Sequence, residues 1–283
     1  MIICRSVDEL TQQLGSNRAD IQSVGFVPTM GALHKGHISL LNCAKTETDF
    51  TVVSIFVNPT QFNDPEDYEK YPRNVENDLN LLETEGCDLV FLPSYEDIYP
   101  QGTADRHYDL GNLDRVMEGP SRPGHFNGVA MVVHRLLELV KPTDAFFGQK
   151  DFQQLAIIKY LVSSLSLPIV IHGCPILREP NGLAMSSRNE RLSAAQRENA
   201  STIYETLKEA KERQTDFSSA NELREFVINK INDNPYLQVE YFELVDASSL
   251  QEVDDIAHAN EAVGCVAVYA GNIRLIDNIQ FYS

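Results

Sequence analysis

Phe26-Val27-Pro28-Thr29-Met30-Gly31-Ala32-Leu33-His34-Lys35-Gly36-His37-Ile38-Ser39-Leu40-Leu41 is the stretch on which the reading of this chain turns. Residues 24–27 are apolar, as in a strand buried on both faces. Pro28 interrupts the strand pattern, Gly31 permits a turn, and an apolar helical pattern begins at Ile38. Two histidines and a lysine therefore fall where a strand gives way to a helix. In an open parallel sheet that is the carboxyl end of a strand, where ligands bind.

The segments around it repeat the alternation. Ser6-Val7-Asp8-Glu9 has capping-box spacing and predicts a helix ending near Gly15. Residues 21–27 and 50–57 read as buried strands, with a helix over 37–45 between them. A polar loop over 58–72 carries Pro59, Pro65 and Pro72. A helix over 74–84 and a strand over 88–92 follow. Residues 95–123 are irregular and rich in Gly, Pro and Asp, an excursion over the sheet edge. Then come a strongly apolar helix (126–140), a strand (144–147), a helix reaching Ser164 and a last strand (169–172). This order predicts a doubly wound, Rossmann-like α/β parallel sheet.

Beyond about residue 175 the pattern changes. Residues 193–213 and 218–233 are charged amphipathic helices, and 239–245, 262–269 and 273–276 alternate like antiparallel strands. Gly271-Asn272 gives a tight turn between the last two. The expected organisation is a domain over 1–175 and a smaller α+β C-terminal domain over 176–283, forming a lid over the site.

Composition narrows the functional classes. The chain has 283 residues, 43% hydrophobic and 23% charged, which places it among globular proteins. A formal charge of −18 argues against a general nucleic-acid surface, because phosphate backbones are met by clustered Lys and Arg. An anionic small molecule stays open if local cations overcome that field. Cys4, Cys43, Cys87, Cys174 and Cys265 are scattered without a CxxC pair, as expected of reduced structural thiols. The start, Met1-Ile2-Ile3-Cys4-Arg5, lacks a signal-peptide pattern, and no apolar run approaches the about 18 residues of a membrane span. A cytoplasmic protein is expected.

Five loops carry groups suited to chemistry. His34 and His37 lie three apart, on one face of a helix's first turn, beside free backbone N–H groups and the positive end of the dipole. Gly31 and Gly36 let a ring or phosphate approach the backbone. An anion site, a solvated helix end and a metal pair all fit that pattern alone. Asn58 and Gln61 follow a buried strand directly, as ligand contacts or as turn chemistry. Gly148-Gln149-Lys150-Asp151 ends another strand, with Lys150 suited to phosphate and Asp151 to either a ligand or a helix cap. Gln154, three residues on, shares the face of Asp151. Met185-Ser186-Ser187-Arg188 offers two hydroxyls and a guanidinium, a phosphate clamp or a solvated linker. Arg122 and His125 stand at a further helix start.

Taken together, these blocks resemble the pantoate–β-alanine ligase family over nearly the whole chain. The carriers are Pro28-Thr29-Met30-Gly31-Ala32-Leu33-His34-Lys35-Gly36-His37, Phe56-Val57-Asn58-Pro59-Thr60-Gln61-Phe62, Asp67-Tyr68-Glu69-Lys70-Tyr71-Pro72-Arg73, Arg122-Pro123-Gly124-His125-Phe126, Phe147-Gly148-Gln149-Lys150-Asp151-Phe152-Gln153-Gln154 and Ala184-Met185-Ser186-Ser187-Arg188-Asn189. The HxGH signature alone would indicate only a wider nucleotidyltransferase-like group.

The resemblance implies ATP-dependent condensation of pantoate with β-alanine. The pantoate carboxylate attacks the α-phosphorus of ATP, expelling pyrophosphate. β-Alanine then attacks the pantoyl adenylate, releasing AMP and pantothenate for coenzyme A synthesis. It implies magnesium with ATP, a homodimer, and neither membrane nor nucleic acid as partner. His34, His37, Lys150, Ser186, Ser187 and Arg188 are the implied catalytic groups, with His37 also a proton donor. Met30, Gly31, Ala32, Leu33, Lys35, Gly36, Gly148, Gln149, Asp151, Leu177 and Met185 complete the implied ATP site. Gln61 and Gln154 match the pantoate-binding glutamines, Gln61 also lying near β-alanine.

Two departures stand out. Where relatives carry consecutive aspartates this chain has Val75-Glu76-Asn77-Asp78-Leu79, leaving Asp78 as the implied metal contact. Where relatives carry a basic residue after Gly-His-Phe it has Asn127. Two other readings share parts of the pattern: a nucleotidyltransferase passing AMP to a phosphate-bearing substrate, which gives no reason for Gln61 and Gln154, and a non-catalytic nucleotide-binding module.

Overall fold

The computed structural model describes residues 1–17, 21–63, 65–100, 105–254 and 261–281. The chain divides into two compact units. The first comprises Met1–Asp114, Glu118–Gln149 and Ile157–Cys174. The second comprises Arg115–Met117, Lys150–Ala156 and Pro175–Ser283.

The first unit is built on six parallel strands. β1 (Ile2–Cys4) and α1 (Val7–Asn17) precede β2 (Val24–Thr29), α2 (Lys35–Glu47) and β3 (Phe50–Ile55). A 3-10 turn at Pro59–Gln61, α3 (Pro65–Glu69) and α4 (Val75–Thr84) lead to β4 (Leu89–Phe91). After the short α5 (Tyr95–Ile98) and α6 (Glu118–Ser121) come α7 (His125–Val140), β5 (Asp144–Gly148), α8 (Phe152–Ser164) and β6 (Val170–Cys174). The strand order is β1-β4-β3-β2-β5-β6. From β2 the chain winds outward through β3 and β4, then returns to β2's other side at β5. The switch point therefore lies between β2 and β5, and the loops after both strands open there.

The strands earn their central position by composition. Phe26, Val27, Val52, Val53, Val90, Ala145 and Phe146 are all buried. Val27, Val53, Val90 and Phe146 join Ile38, Leu41 and Ala44 of α2 in one apolar cluster. Fully burying one such Val, Leu or Phe side chain contributes about 1.5–3 kcal/mol. α7 is buried at 12 of its 16 residues, and only Asn127, Arg135, Glu138 and Leu139 lie outside the core.

Two sequence expectations change. The strand does not break at Pro28: β2 runs through it to Thr29, with Pro28 opposite Ser54 of β3. β2 pairs with β5 through Gly25 and Phe26, before the proline, so Pro28 is placed beyond the ladder that would need its missing N–H. β1, three residues at the sheet edge beside β4, has no counterpart in the sequence reading because it is too short to show a period. Of the irregular stretch 95–123, residues 101–104 lie outside the described residues.

In the second unit, β7 (Leu237–Asp246), β8 (Ala262–Ala270) and β9 (Ile273–Gln280) form an antiparallel sheet in that order. Against it lie α10 (Ser201–Glu212) and α11 (Ala220–Asn232). The single helix expected over 193–213 is two: α9 (Ala194–Asn199) precedes α10, with Ala200 between them. Leu207, Leu223, Val227, Ile231, Phe242 and Val266 centre a separate core. Gly271 has φ +63° in the β8–β9 turn, as the Gly-Asn pair required.

Candidate active site

The chain leaves β2 at Thr29 through a tight loop. Thr29 Oγ1 donates to Ser54 O on β3 at 2.8 Å, and Gly31 N donates back to Thr29 Oγ1 at 3.2 Å. Gly31 takes φ +80° and Ala32 φ +50°. A Cβ on Gly31 would lie 2.9 Å from Asp78 Oδ2, so the position needs glycine on both counts. Asp78, buried on α4, closes the loop: its Oδ2 accepts from Ala32 N at 2.9 Å and its Oδ1 from Leu33 N at 2.8 Å. The residue implied as a metal contact thus has both oxygens turned to backbone N–H groups. Its geometry is that of a loop anchor.

His34 caps α2. Its Nδ1 accepts from Gly36 N at 3.1 Å, and the Nδ1 of His37 accepts from His34 N at 3.3 Å. The rings lie 4.2 Å apart between centroids. An acceptor Nδ1 on a neutral imidazole puts the ring proton on Nε2. Both histidines are therefore held as Nε2–H donors at the positive end of a helix dipole. This arrangement suits an anion and does not suit a metal, which would need a lone pair there. Among the described residues no three His, Cys, Asp or Glu side chains converge on a metal position.

Beside the loop, a cavity of about 230 Å³ is lined by Met30, Gly31, Ile55, Tyr68, Arg73 and Asp78, among others. Gln61 ends the 3-10 turn and is buried. Its Oε1 accepts from Asn58 Nδ2 at 3.2 Å and its Nε2 lies 2.8 Å from Met30 Sδ. His125 Nδ1 donates to the Gln61 carbonyl at 2.7 Å, tying α7 to the same turn. Gly128 allows that approach, since a Cβ there would fall 2.4 Å from Thr60 O. After β5, Gln149 N donates to Cys174 O at 2.9 Å, which sets the backbone following Gly148. Asn127 bridges Tyr108 N at 2.9 Å and Arg106 O at 3.1 Å.

The second unit holds Lys150 and the Ser186–Arg188 turn. Lys150 Nζ is 3.8 Å from Asp151 Oδ1, and Lys150 O accepts from Asn278 Nδ2 at 3.0 Å. Lys150, Ser186, Arg188, Asn189, Arg274 and Asp277 line a narrow cleft. Ser186 caps the turn Ser187–Arg191, accepting from Arg188 N at 3.2 Å. The turn is braced from below. Asn189 donates to Glu179 Oε1 at 2.8 Å and to Ala184 O at 3.0 Å, and Met185 N donates to Leu177 O at 3.0 Å. Arg178 forks onto Asp277 at 2.6 and 3.0 Å and stacks 3.6 Å over the Tyr204 ring. The backbone of the Ser-Ser-Arg turn is thus held in place, while the Arg188 side chain is exposed.

The structure thus groups Met30–His37, Gln61, Gly148 and Gln149 in one unit. Lys150, Asp151, Gln154, Leu177 and Met185–Arg188 belong to the other. Gln154 is half-buried, Leu177 and Lys35 exposed. Sequence reasoning missed the Arg178–Asp277 pair and Tyr99, whose types and spacing carry no signal. It left Asn58 between turn chemistry and ligand contact; its Oδ1 caps the turn at Thr60 N while its Nδ2 reaches Gln61.

The Pantoate-beta-alanine ligase family model matches residues 2–280 of the chain. The chain belongs to the pantoate–β-alanine ligase family. A pantothenate synthetase of Porphyromonas gingivalis is 48% identical over 281 residues, 99% of each chain. That of Azobacteroides pseudotrichonymphae is 50% identical over 282 residues, 99% of this chain and 100% of the relative. Among solved structures, the pantothenate synthetase of Thermus thermophilus superposes with TM-score 0.91 at 41% identity, covering 100% of both chains. A pantoate–β-alanine ligase from Francisella tularensis, complexed with a form of ATP and β-alanine, gives TM-score 0.80 at 40% identity, covering 99% of this chain and 97% of its own. As a family member the chain is an acid–amino-acid ligase, and these ligases share its pairing of a six-stranded parallel sheet with a small antiparallel one.

Proposed function

We propose that this ligase joins pantoate to β-alanine at the expense of ATP, through a pantoyl-adenylate intermediate, releasing pyrophosphate and AMP. The product would feed coenzyme A synthesis. The observation that carries the reading is the pair of imidazoles fixed as Nε2–H donors at the switch point of the sheet.

Attack of a carboxylate on the α-phosphorus of ATP builds negative charge on the α-phosphoryl oxygens and on the leaving pyrophosphate. Donors fixed in advance stabilise that charge more than they stabilise bound ATP, which is what lowers the barrier. His34 and His37 supply two such donors at the start of α2, each through an Nε2–H hydrogen bond to a phosphate oxygen. Lys150, Ser186, Ser187 and Arg188 supply the rest. Such local cations are what an anionic substrate needs on a chain of net charge −18. Met30 to His37, Gly148 to Asp151, Leu177 and Met185 would hold the nucleotide. Gln61 and Gln154 would hold pantoate. Neutral amides bind a carboxylate and hydroxyls without drawing off its nucleophilicity as a cation would.

Magnesium would enter with the phosphates of ATP and neutralise part of their charge. The described residues offer it no built site: Asp78 is engaged with the loop backbone. The family resemblance also underlies a homodimer and a cytoplasmic location in this proposal. No helix among the described residues is long and apolar enough to cross a membrane.

The test is product formation from purified protein with ATP, pantoate and β-alanine. AMP and pantothenate should appear in equal amounts, and omitting either pantoate or β-alanine should stop pantothenate formation. AMP transfer to a phosphate-bearing acceptor without pantoate, or nucleotide binding with no AMP, would contradict it.

A further inference from the structure

The amide of Gln61 can be read atom by atom. Asn58, fully buried, lies between it and the protein interior. Asn58 Oδ1 faces groups that donate or can donate: Thr60 N at 3.3 Å, Thr60 Oγ1 at 3.0 Å and Tyr99 OH at 2.9 Å. Its Nδ2 faces Gly128 O at 3.1 Å on the other side. Reversing the Asn58 amide would set two donors against each other at Thr60 N and two acceptors at Gly128 O. Its orientation is therefore fixed.

Since Asn58 Nδ2 donates, the atom of Gln61 that meets it at 3.2 Å must be the carbonyl Oε1. Gln61 is left with Nε2 on the side of Met30, which also lines the cavity beside the loop. Gln61 thus offers a donor, suited to a carboxylate or hydroxyl oxygen.

Tyr99 stands behind this relay. It follows α5, its ring lies 6.4 Å from that of Phe56, and burial pushes its hydroxyl up to about 12, so it stays a protonated donor. Its hydroxyl also lies 3.2 Å from Thr60 Oγ1, closing a small ring of hydroxyls around Asn58 Oδ1. We propose that Tyr99 is a positioning residue for recognition of the acid substrate: through Asn58 it holds the Gln61 amide with its N–H directed at an oxygen of pantoate. The proposal rests on the reading of Gln61 as a pantoate contact.

The experiment is a double-mutant cycle of Tyr99→Phe and Gln61→Ala, reading KM for pantoate and for ATP at saturating co-substrates. Phenylalanine keeps the ring and removes only the hydroxyl. Tyr99→Phe should raise the pantoate KM roughly 3- to 10-fold, the size of one neutral hydrogen bond, and leave the ATP KM unchanged. In the Gln61→Ala background the same change should add nothing, because its target is gone. Thr60→Val, which removes the companion hydroxyl, should act in the same direction and carries the test if Tyr99→Phe does not fold. A pantoate KM unchanged in Tyr99→Phe, an equal rise for ATP, or an undiminished effect in the Gln61→Ala background would overturn the proposal. If Gln61→Ala itself leaves the pantoate KM unchanged, the reading of Gln61 has failed and the proposal falls with it, a result distinct from the other three.

Discussion

His37 accepts the backbone N–H of His34 on its Nδ1 at 3.3 Å, so the second imidazole of the HxGH motif is oriented by the backbone of the first. Each ring is thereby fixed by the peptide chain of the same helical turn, and both present Nε2–H. His37→Ala removes one donor to the developing phosphate charge. It should lower the pantoate-dependent adenylation rate by roughly 10²–10³, about 3–4 kcal/mol, with the melting temperature preserved. Lys150→Ala should do the same. Near-full rates in either variant would remove that residue from the mechanism.

Asp78 anchors the loop that feeds α2, with one carboxylate oxygen on each of two successive N–H groups. In Asp78→Asn one oxygen becomes an NH2 group facing a backbone donor. The loss should be about 1–3 kcal/mol of stability, read from a urea midpoint, together with a raised KM for ATP. If Asp78 were instead a metal ligand, the magnesium dependence would shift while the midpoint held.

The Arg178–Asp277 fork is buried on the carboxylate side and its guanidinium stacks on Tyr204. Replacing Arg178 by Met leaves a buried charge without its partner, which typically costs 3–5 kcal/mol, so about that loss is expected. Differential scanning of the intact chain would show it as a lower melting temperature. An unchanged transition would mean that Asp277 takes up a proton at little cost.

Asp246 at the end of β7 accepts from Ser249 N at 2.8 Å and from the hydroxyls of Ser248 and Ser249 at 2.7 Å each. These bonds favour the carboxylate and hold its pKa near about 2. Its unfolded value is about 3.9, so the unfolded chain binds the proton first as pH falls. The contribution is complete above about pH 4 and lost as pH drops toward about 2. Asp246→Asn should flatten the fall in urea midpoint across that window. An identical acid profile in variant and wild type would contradict it.

Much of this was legible in the sequence, and the exceptions have physical causes. The long strands and α7 announce themselves by continuous apolar runs, and the HxGH stretch by its place after one of them. β1 escaped because three residues show no period. Pro28 misled because its tolerance depends on which neighbour pairs with that end of β2, a tertiary fact. Asp78 was visible only as one acidic residue on a helix, since the Ala32 and Leu33 N–H groups it meets are 46 and 45 positions away. Tyr99 lies 41 positions from Asn58, and nothing in the residues between them points to the contact.

Everything proposed for the two histidines depends on pantoate being activated on the α-phosphorus of ATP before β-alanine takes part. Exchange of labelled pyrophosphate into ATP tests that order most directly. Exchange should require pantoate and proceed without β-alanine. Exchange that ignores pantoate, or none until β-alanine is added, would contradict it.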